Sequence, residues 1–263
     1  MVCTRKKGIE LTMDSKEIQF RGAMGDRLSA RLDEADGEPK AYALFAHCFT
    51  CSKNLKAVGH ITKSLASHGV STLRFDFTGL GNSEGEFSNT NFSSNIEDLI
   101  AAATYMDENL QSPSILVGHS LGGAAVIQAA HQIDSVKAVA TIGAPADPVH
   151  VKENFSIKLD EIEKTGEATV ELAGRPFKIK KQFLDDLEAT KMDERVRKLN
   201  RALLIMHAPL DKTVGIKNAA HLYKLAKHPK SFISLHEADH LLTDKTYSKY
   251  TGRLIAQWSD VYI

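Results

Sequence analysis

Short apolar runs alternate along the chain with longer stretches in which apolar residues recur every three or four positions. Runs at 41–46 (AYALFA), 70–75 (VSTLRF), 114–117 (SILV), 136–142 (VKAVATI), 201–206 (RALLIM) and 231–235 (SFISL) read as strands. The last five have the continuous apolar character of strands covered on both faces. Helical patterns lie between and after them, at 57–68, 95–109, 122–132, 216–226 and 246–258. This alternation predicts an α/β fold with a mostly parallel central sheet and helices on both sides. Two alternating stretches at 17–21 and 28–32 predict an antiparallel edge hairpin ahead of it.

The rhythm breaks between residues 146 and 200, where the chain is charged and irregular. A hairpin is expected inside this segment, with strands at 169–172 and 177–180 joined by a turn through 173–176. An insertion of about 50 residues between two core strands predicts a lid or small subdomain. The core then comprises 17–145 and 201–263, the lid 146–200, and residues 1–16 a flexible tail.

Composition narrows the function classes. The 263 residues are 43% hydrophobic and 25% charged, ordinary globular material. Thirty-three Lys and Arg balance thirty-three Asp and Glu, which gives no electrostatic argument for nucleic acid or an anionic membrane. No apolar run approaches the roughly 18 residues of a membrane-spanning helix. The basic start is not followed by the apolar core of a signal peptide, and the three cysteines are too few for a secreted disulfide framework. A cytoplasmic protein with reduced thiols is expected.

The chemistry concentrates at Gly118-His119-Ser120-Leu121-Gly122, a Gly-x-Ser-x-Gly sequence. It follows an apolar strand and precedes a helix start rich in small residues, the strand–turn–helix context of a nucleophile elbow. Its glycines avoid clashes around a serine held in strained backbone, and the helix N-terminus aims free N–H groups at developing negative charge. Gly81-Asn82-Ser83-Glu84-Gly85 matches the same pattern, but it lies in a turn-rich loop and no helix starts there. Ser120 is therefore the expected nucleophile and Ser83 is not.

A serine hydroxyl needs a base, and the base needs an orienting acid. In this architecture they follow in the order Ser, acid, His, each after a strand. Asp211 and His240 are the expected acid and base, with Asp147 and His236 as competitors. His236 is closer to its strand and is expected to pack beside the sheet; His119 and His207 are expected to be structural. An oxyanion hole of two backbone N–H groups completes such a site. Leu121 supplies one, and Phe49, in the loop after the strand 41–46, supplies the other.

These positions, His47-Cys48-Phe49, the stretch from Phe75-Asp76 through Gly79, Gly81 and Ser83, the Ser120 elbow, Asp211 and His240, resemble the α/β-hydrolase superfamily over nearly the whole chain after residue 17. More narrowly, "FAHCFTC", "RFDFTGLGNSEGEF" and "GHSLGGAAV" look like serine-aminopeptidase-like hydrolases often fused to a C-terminal OsmC-type peroxidase domain. That half is absent from this sequence, and the resemblance implies an OsmC-type peroxidase as a partner. Cys48 stands where such loops usually carry glycine. The Cys48-x-x-Cys51 spacing then has three readings: small buried residues, a redox pair whose disulfide would strain the oxyanion loop and switch hydrolysis off, or half of a metal site lacking its other two ligands.

The expectation is a serine hydrolase cleaving small to medium carboxylic esters through an acyl-enzyme, with no metal or cofactor, no nucleic acid and no membrane. Thioesterase or aminopeptidase action by the same triad, or a thiol-regulated binding module, are the alternatives. An aminopeptidase would need an acidic lid group, from Glu153, Asp160, Glu161 or Glu163, to hold the substrate ammonium.

Overall fold

A computed structural model describes residues 15–172 and 174–263. Strands β1 (Ser15–Arg21) and β2 (Arg27–Asp33) form the expected hairpin, paired from Ser15 opposite Asp33 to Arg21 opposite Arg27. β1 takes in Ser15 and Lys16, which were expected in the tail; residues 1–14, Cys3 among them, lie outside the described residues.

The remaining core elements are β3 (Ala41–Ala46), α1 (Lys56–Ala66), β4 (Val70–Phe75), α2 (Phe92–Asn109), β5 (Ile115–His119), α3 (Leu121–Ala129) and β6 (Ala138–Ile142). An insertion carries 3₁₀ turns over Pro148–Lys158, α4 (Leu159–Thr165), β7 (Glu167–Leu172), β8 (Arg175–Lys180), α5 (Lys181–Ala189) and α6 (Met192–Arg197). The chain returns to the core with β9 (Ala202–His207), α7 (Lys217–Leu225), β10 (Lys230–Ser234) and α8 (Lys245–Ser259).

Eight strands make one sheet in the order β1-β2-β4-β3-β5-β6-β9-β10. β2 runs antiparallel to β1 and β4, and every later pair is parallel. The central strands bury both faces. Leu44, Leu73, Leu116, Val139 and Leu203 enter one core with α2, α3 and α7. Phe45, Val70, Val117, Ala140 and Leu204 enter the other with α1 and α8. The period-two alternation of strand side chains thus feeds two cores, which is why these strands read as unbroken apolar runs.

β10 departs from that expectation. It is the edge strand, its residues alternate between partly buried and exposed, and Phe232 stands 43% exposed. One neighbour and an uncovered flank explain the difference. Between β2 and β4 the buried Arg74 guanidinium donates to Asp33 at 2.7 Å. Burial pushes the Asp33 carboxyl up, but Arg74 and two hydroxyls outweigh it and hold it below the usual range.

The insertion packs on the α2–α3 side. Phe155, Ile162, Phe183, Leu184 and Leu187 are buried in the core that contains those helices, whereas Ile157 is 94% exposed. β7 and β8 pair antiparallel as a separate two-stranded sheet. Among the described residues, no helix is long and apolar enough to cross a membrane.

Candidate active site

Ser120 sits between β5 and α3 with φ 55° and ψ −126°, a left-handed conformation that few non-glycine residues adopt. The glycines on either side are obligatory. A Cβ on Gly118 would lie 2.3 Å from the Gly122 carbonyl oxygen, and one on Gly122 would lie 2.4 Å from that of Ala46. The elbow is therefore pressed against the end of β3. That contact brings the start of α3 beside the loop carrying Phe49.

The other two predicted side chains arrive from loops after β9 and β10. Ser120 Oγ lies 3.0 Å from His240 Nε2, and His240 Nδ1 lies 2.7 Å from Asp211 Oδ2. Asp211 is buried and Ser120 and His240 partly so. Asp211 Oδ1 accepts from the Thr213 and Val214 N–H groups at 2.8 and 2.9 Å. Burial pushes the Asp211 carboxyl up, yet the hydrogen bond from His240 and these N–H groups together hold it below the usual range. It is ionised at neutral pH, so His240 Nδ1–H is the donor and Nε2 presents its lone pair to the Ser120 hydroxyl.

The competitors lie elsewhere. Asp147 caps the 3₁₀ turns by accepting from the Val149 N–H at 3.0 Å. His236 is exposed, contrary to the expected packing beside the sheet, because it follows the open edge strand. Ser83 accepts from the Ser29 N–H of strand β2 at 2.9 Å.

His119 and His207 are structural, as expected, but His119 does more than fill space. Its Nε2–H donates to the His240 carbonyl oxygen at 2.7 Å, anchoring the backbone under the His240 ring. Burial and the nearby His240 push its pKa down to about 4, so it stays neutral there. No pattern in the sequence marked this bond, which joins residues 121 positions apart.

Phe49 and Leu121 come together in one narrow pocket, walled also by Phe77, Leu80, Phe87 and Phe92. Among the described residues, neither the Phe49 nor the Leu121 N–H has a hydrogen-bond acceptor. Phe183 of α5 packs against the Phe49 ring at 5.5 Å, and Phe177 of β8 against Phe87 at 5.0 Å, so the insertion closes over this pocket. Asn91 and Ser94 form a capping box at the head of α2. Asn95 lines the pocket, and its buried side-chain nitrogen has no hydrogen-bond partner among the described residues.

Cys48 and Cys51 are joined by a disulfide across a Cα separation of 5.3 Å, where reduced thiols were expected. Beneath them lies an ion pair that sequence reading missed. Lys53 is fully buried; its Nζ lies 2.7 Å from Asp76 Oδ2, and its N–H donates to Asp76 Oδ1 at 2.6 Å. Arg74 donates to the Lys53 carbonyl oxygen. Asp76 also accepts from the Asn82 N–H at 3.0 Å. Among the described residues, no cluster of three or more His, Cys, Asp or Glu could hold a metal ion.

The family described as "Serine aminopeptidase, S33" matches residues 37–159. The esterase domain of a Rhodothermus marinus protein is 47% identical, with a TM-score of 0.77 over 95% of this chain and 99% of that one. The chain belongs to the α/β-hydrolase family. Est1E of Butyrivibrio proteoclasticus, solved with ferulic acid bound, shares the hydrolase's fold at 21% identity, with a TM-score of 0.74 over 91% of this chain and 98% of that one. The uncharacterised protein YfhR of Salmonella typhi is 22% identical to the hydrolase over 95% of this chain and 80% of its own.

Proposed function

We propose that this hydrolase is a serine carboxylesterase acting on esters with short acyl groups. The observation that carries the reading is the unbroken relay from Ser120 Oγ through His240 to Asp211, at 3.0 and 2.7 Å. Ser120 attacks the ester carbonyl while His240 Nε2 takes its proton. The C=O electron pair moves onto oxygen, and the Phe49 and Leu121 N–H groups, both without another acceptor among the described residues, receive that oxyanion. Collapse of the tetrahedral intermediate breaks the C–O bond as His240 returns the proton to the leaving alcohol. Water, activated by the same imidazole, then releases the acid from the acyl-enzyme. Asp211 keeps His240 in the required tautomer and stabilises the imidazolium.

The pocket shared by Phe49 and Leu121 supports the short-acyl preference. It is narrow and mostly apolar, which suits an acetyl methyl better than a long chain. The likeness to the Rhodothermus marinus esterase domain supports the choice of esters. Amide-cleaving aminopeptidase action has less support. Glu153, Glu161 and Glu163 are exposed and already paired with His150, Lys158 and Lys181, and Asp160 is exposed.

The test is hydrolysis of p-nitrophenyl esters from acetate to decanoate by the wild type and Ser120→Ala. Activity should peak at acetate to butyrate and fall by about 10⁵-fold or more in the variant. A folded Ser120→Ala protein that keeps wild-type turnover would refute the nucleophile; a decanoate optimum would refute the acyl preference.

A further inference from the structure

We infer that the Cys48–Cys51 disulfide is a positioning element for the oxyanion hole, so that the bridged hydrolase is the fast form and the dithiol the slow one. The inference rests on the serine-hydrolase reading above. The bridge spans Phe49 and Thr50, and Phe49 is the proposed N–H donor of this loop. Thr50 sits at φ 57°, a left-handed conformation disfavoured for a β-branched residue. Something outside Thr50 must hold it there, and three restraints do. The disulfide closes the turn, with the Cys51 N–H donating to the Cys48 carbonyl oxygen at 3.1 Å. Arg175 of β8 donates to the Thr50 carbonyl oxygen. Lys53, two residues beyond the bridge, is fixed to Asp76.

The bridge coexists with an intact Ser120–His240–Asp211 relay and with a Phe49 N–H that has no acceptor among the described residues. This is the reverse of the expectation that a disulfide here would dismantle the site. With the S–S bond open, residues 48–51 regain backbone freedom, Thr50 relaxes toward negative φ, and the Phe49 peptide rotates with it. Ser120, His240 and Asp211 stay in place, because none of the loop restraints touches them.

The sulfurs differ in access. Cys48 is 4% exposed and Cys51 is only partly buried. The co-reactant is a low-molecular-weight dithiol. Its thiolate attacks Cys51 Sγ; the S–S bond breaks and its electron pair passes to Cys48 Sγ, which takes up a proton. The second thiol of the reductant then displaces Cys51 and becomes half of a cyclic disulfide. The protein gains two electrons and two protons, and the reductant loses the same.

The experiment uses a Cys3→Ser background, so that two cysteines remain of the three. Turnover of p-nitrophenyl acetate and the labelling rate of Ser120 by a fluorophosphonate are measured before dithiothreitol treatment, after it, and after reoxidation. Thiols are counted by mass-tagged alkylation and folding is followed by circular dichroism. Reduction should lower kcat and the labelling rate about 10- to 100-fold, short of the 10²–10³-fold expected for complete loss of one donor. KM should change less than about twofold, and reoxidation should restore the rate. Cys48→Ser/Cys51→Ser should show the slow rate and ignore the reductant. A folded protein with two titrated thiols and undiminished kcat would overturn the inference. So would loss of global fold in both the reduced protein and the double variant, which would make the bridge a stability element. No labelling of Ser120 even in the oxidised protein would instead refute the serine-hydrolase reading and take this inference with it.

Discussion

Two loops meet at the proposed oxyanion hole, and they are built by different physics. The elbow after β5 is set by backbone sterics: a strained serine, two glycines with no room for a Cβ, and a helix that starts at once. The loop after β3 relies on side-chain bonds instead, and only one of them, the Cys48–Cys51 disulfide, is local. It is fixed by long-range side-chain bonds, Lys53 to Asp76, Arg74 to the Lys53 carbonyl and Arg175 to the Thr50 carbonyl, and by one disulfide. One donor is thus held by backbone sterics, the other by a short bridge and by bonds from distant residues.

The comparison is tested hardest at Lys53. Lys53→Met leaves the Asp76 carboxylate buried without its cation, and should destabilise the protein by about 3–5 kcal/mol in urea unfolding. A loss under about 1 kcal/mol would mean that the loop does not depend on the pair. Next comes the elbow. Gly122→Ala forces a methyl against two carbonyl oxygens, at 2.4 and 2.5 Å, and should separate the two donors. Its kcat should fall about 10²–10³-fold, as for loss of one donor. Unchanged kcat in this variant would show that the contact between elbow and loop is dispensable.

The smallest effect concerns pH. His119 has an ordinary pKa of 6.5 and is held at about 4 in the fold by burial and by His240. Above pH 6.5 both folded and unfolded states leave it neutral. As pH falls through that value the unfolded chain takes up a proton that the folded protein refuses until about pH 4, so stability declines over this window and then levels. The decline attributable to His119 is about 3 kcal/mol. His119→Gln keeps a donor for the His240 carbonyl and should lose that much less between the two pH values; parallel curves for the two proteins would show that His119 does not titrate in this way.

The same contrast explains what was legible in the sequence. The elbow could be read from five consecutive residues, because its demands are local and only glycine meets them. β3 and β4 had the expected bounds, since strands covered on both faces have little choice of composition. Lys53–Asp76 and Arg74–Asp33 join residues 23 and 41 positions apart and leave no periodic trace. A buried lysine also looks like a surface one until its partner is known. β10 misled for a related reason: a sheet edge is defined by a neighbour that is missing, which SFISL alone cannot announce. The geometry at Ser120, Asp211 and His240 was reachable because chain order and strand ends restrict the choices.

Synthesis imposes its own order on this arrangement. Ser120 and both N–H groups of the hole lie in the first 121 residues, while the imidazole that touches Ser120 belongs to residue 240, beyond the edge strand β10. A ribosome adding about 5–20 residues per second passes several seconds between the two. Throughout that interval the nascent chain displays an elbow without the imidazole that the proposed mechanism requires. On the proposed mechanism, any fragment released by stalling or by proteolysis before residue 240 lacks its base, so damage to this molecule yields debris and not a working esterase.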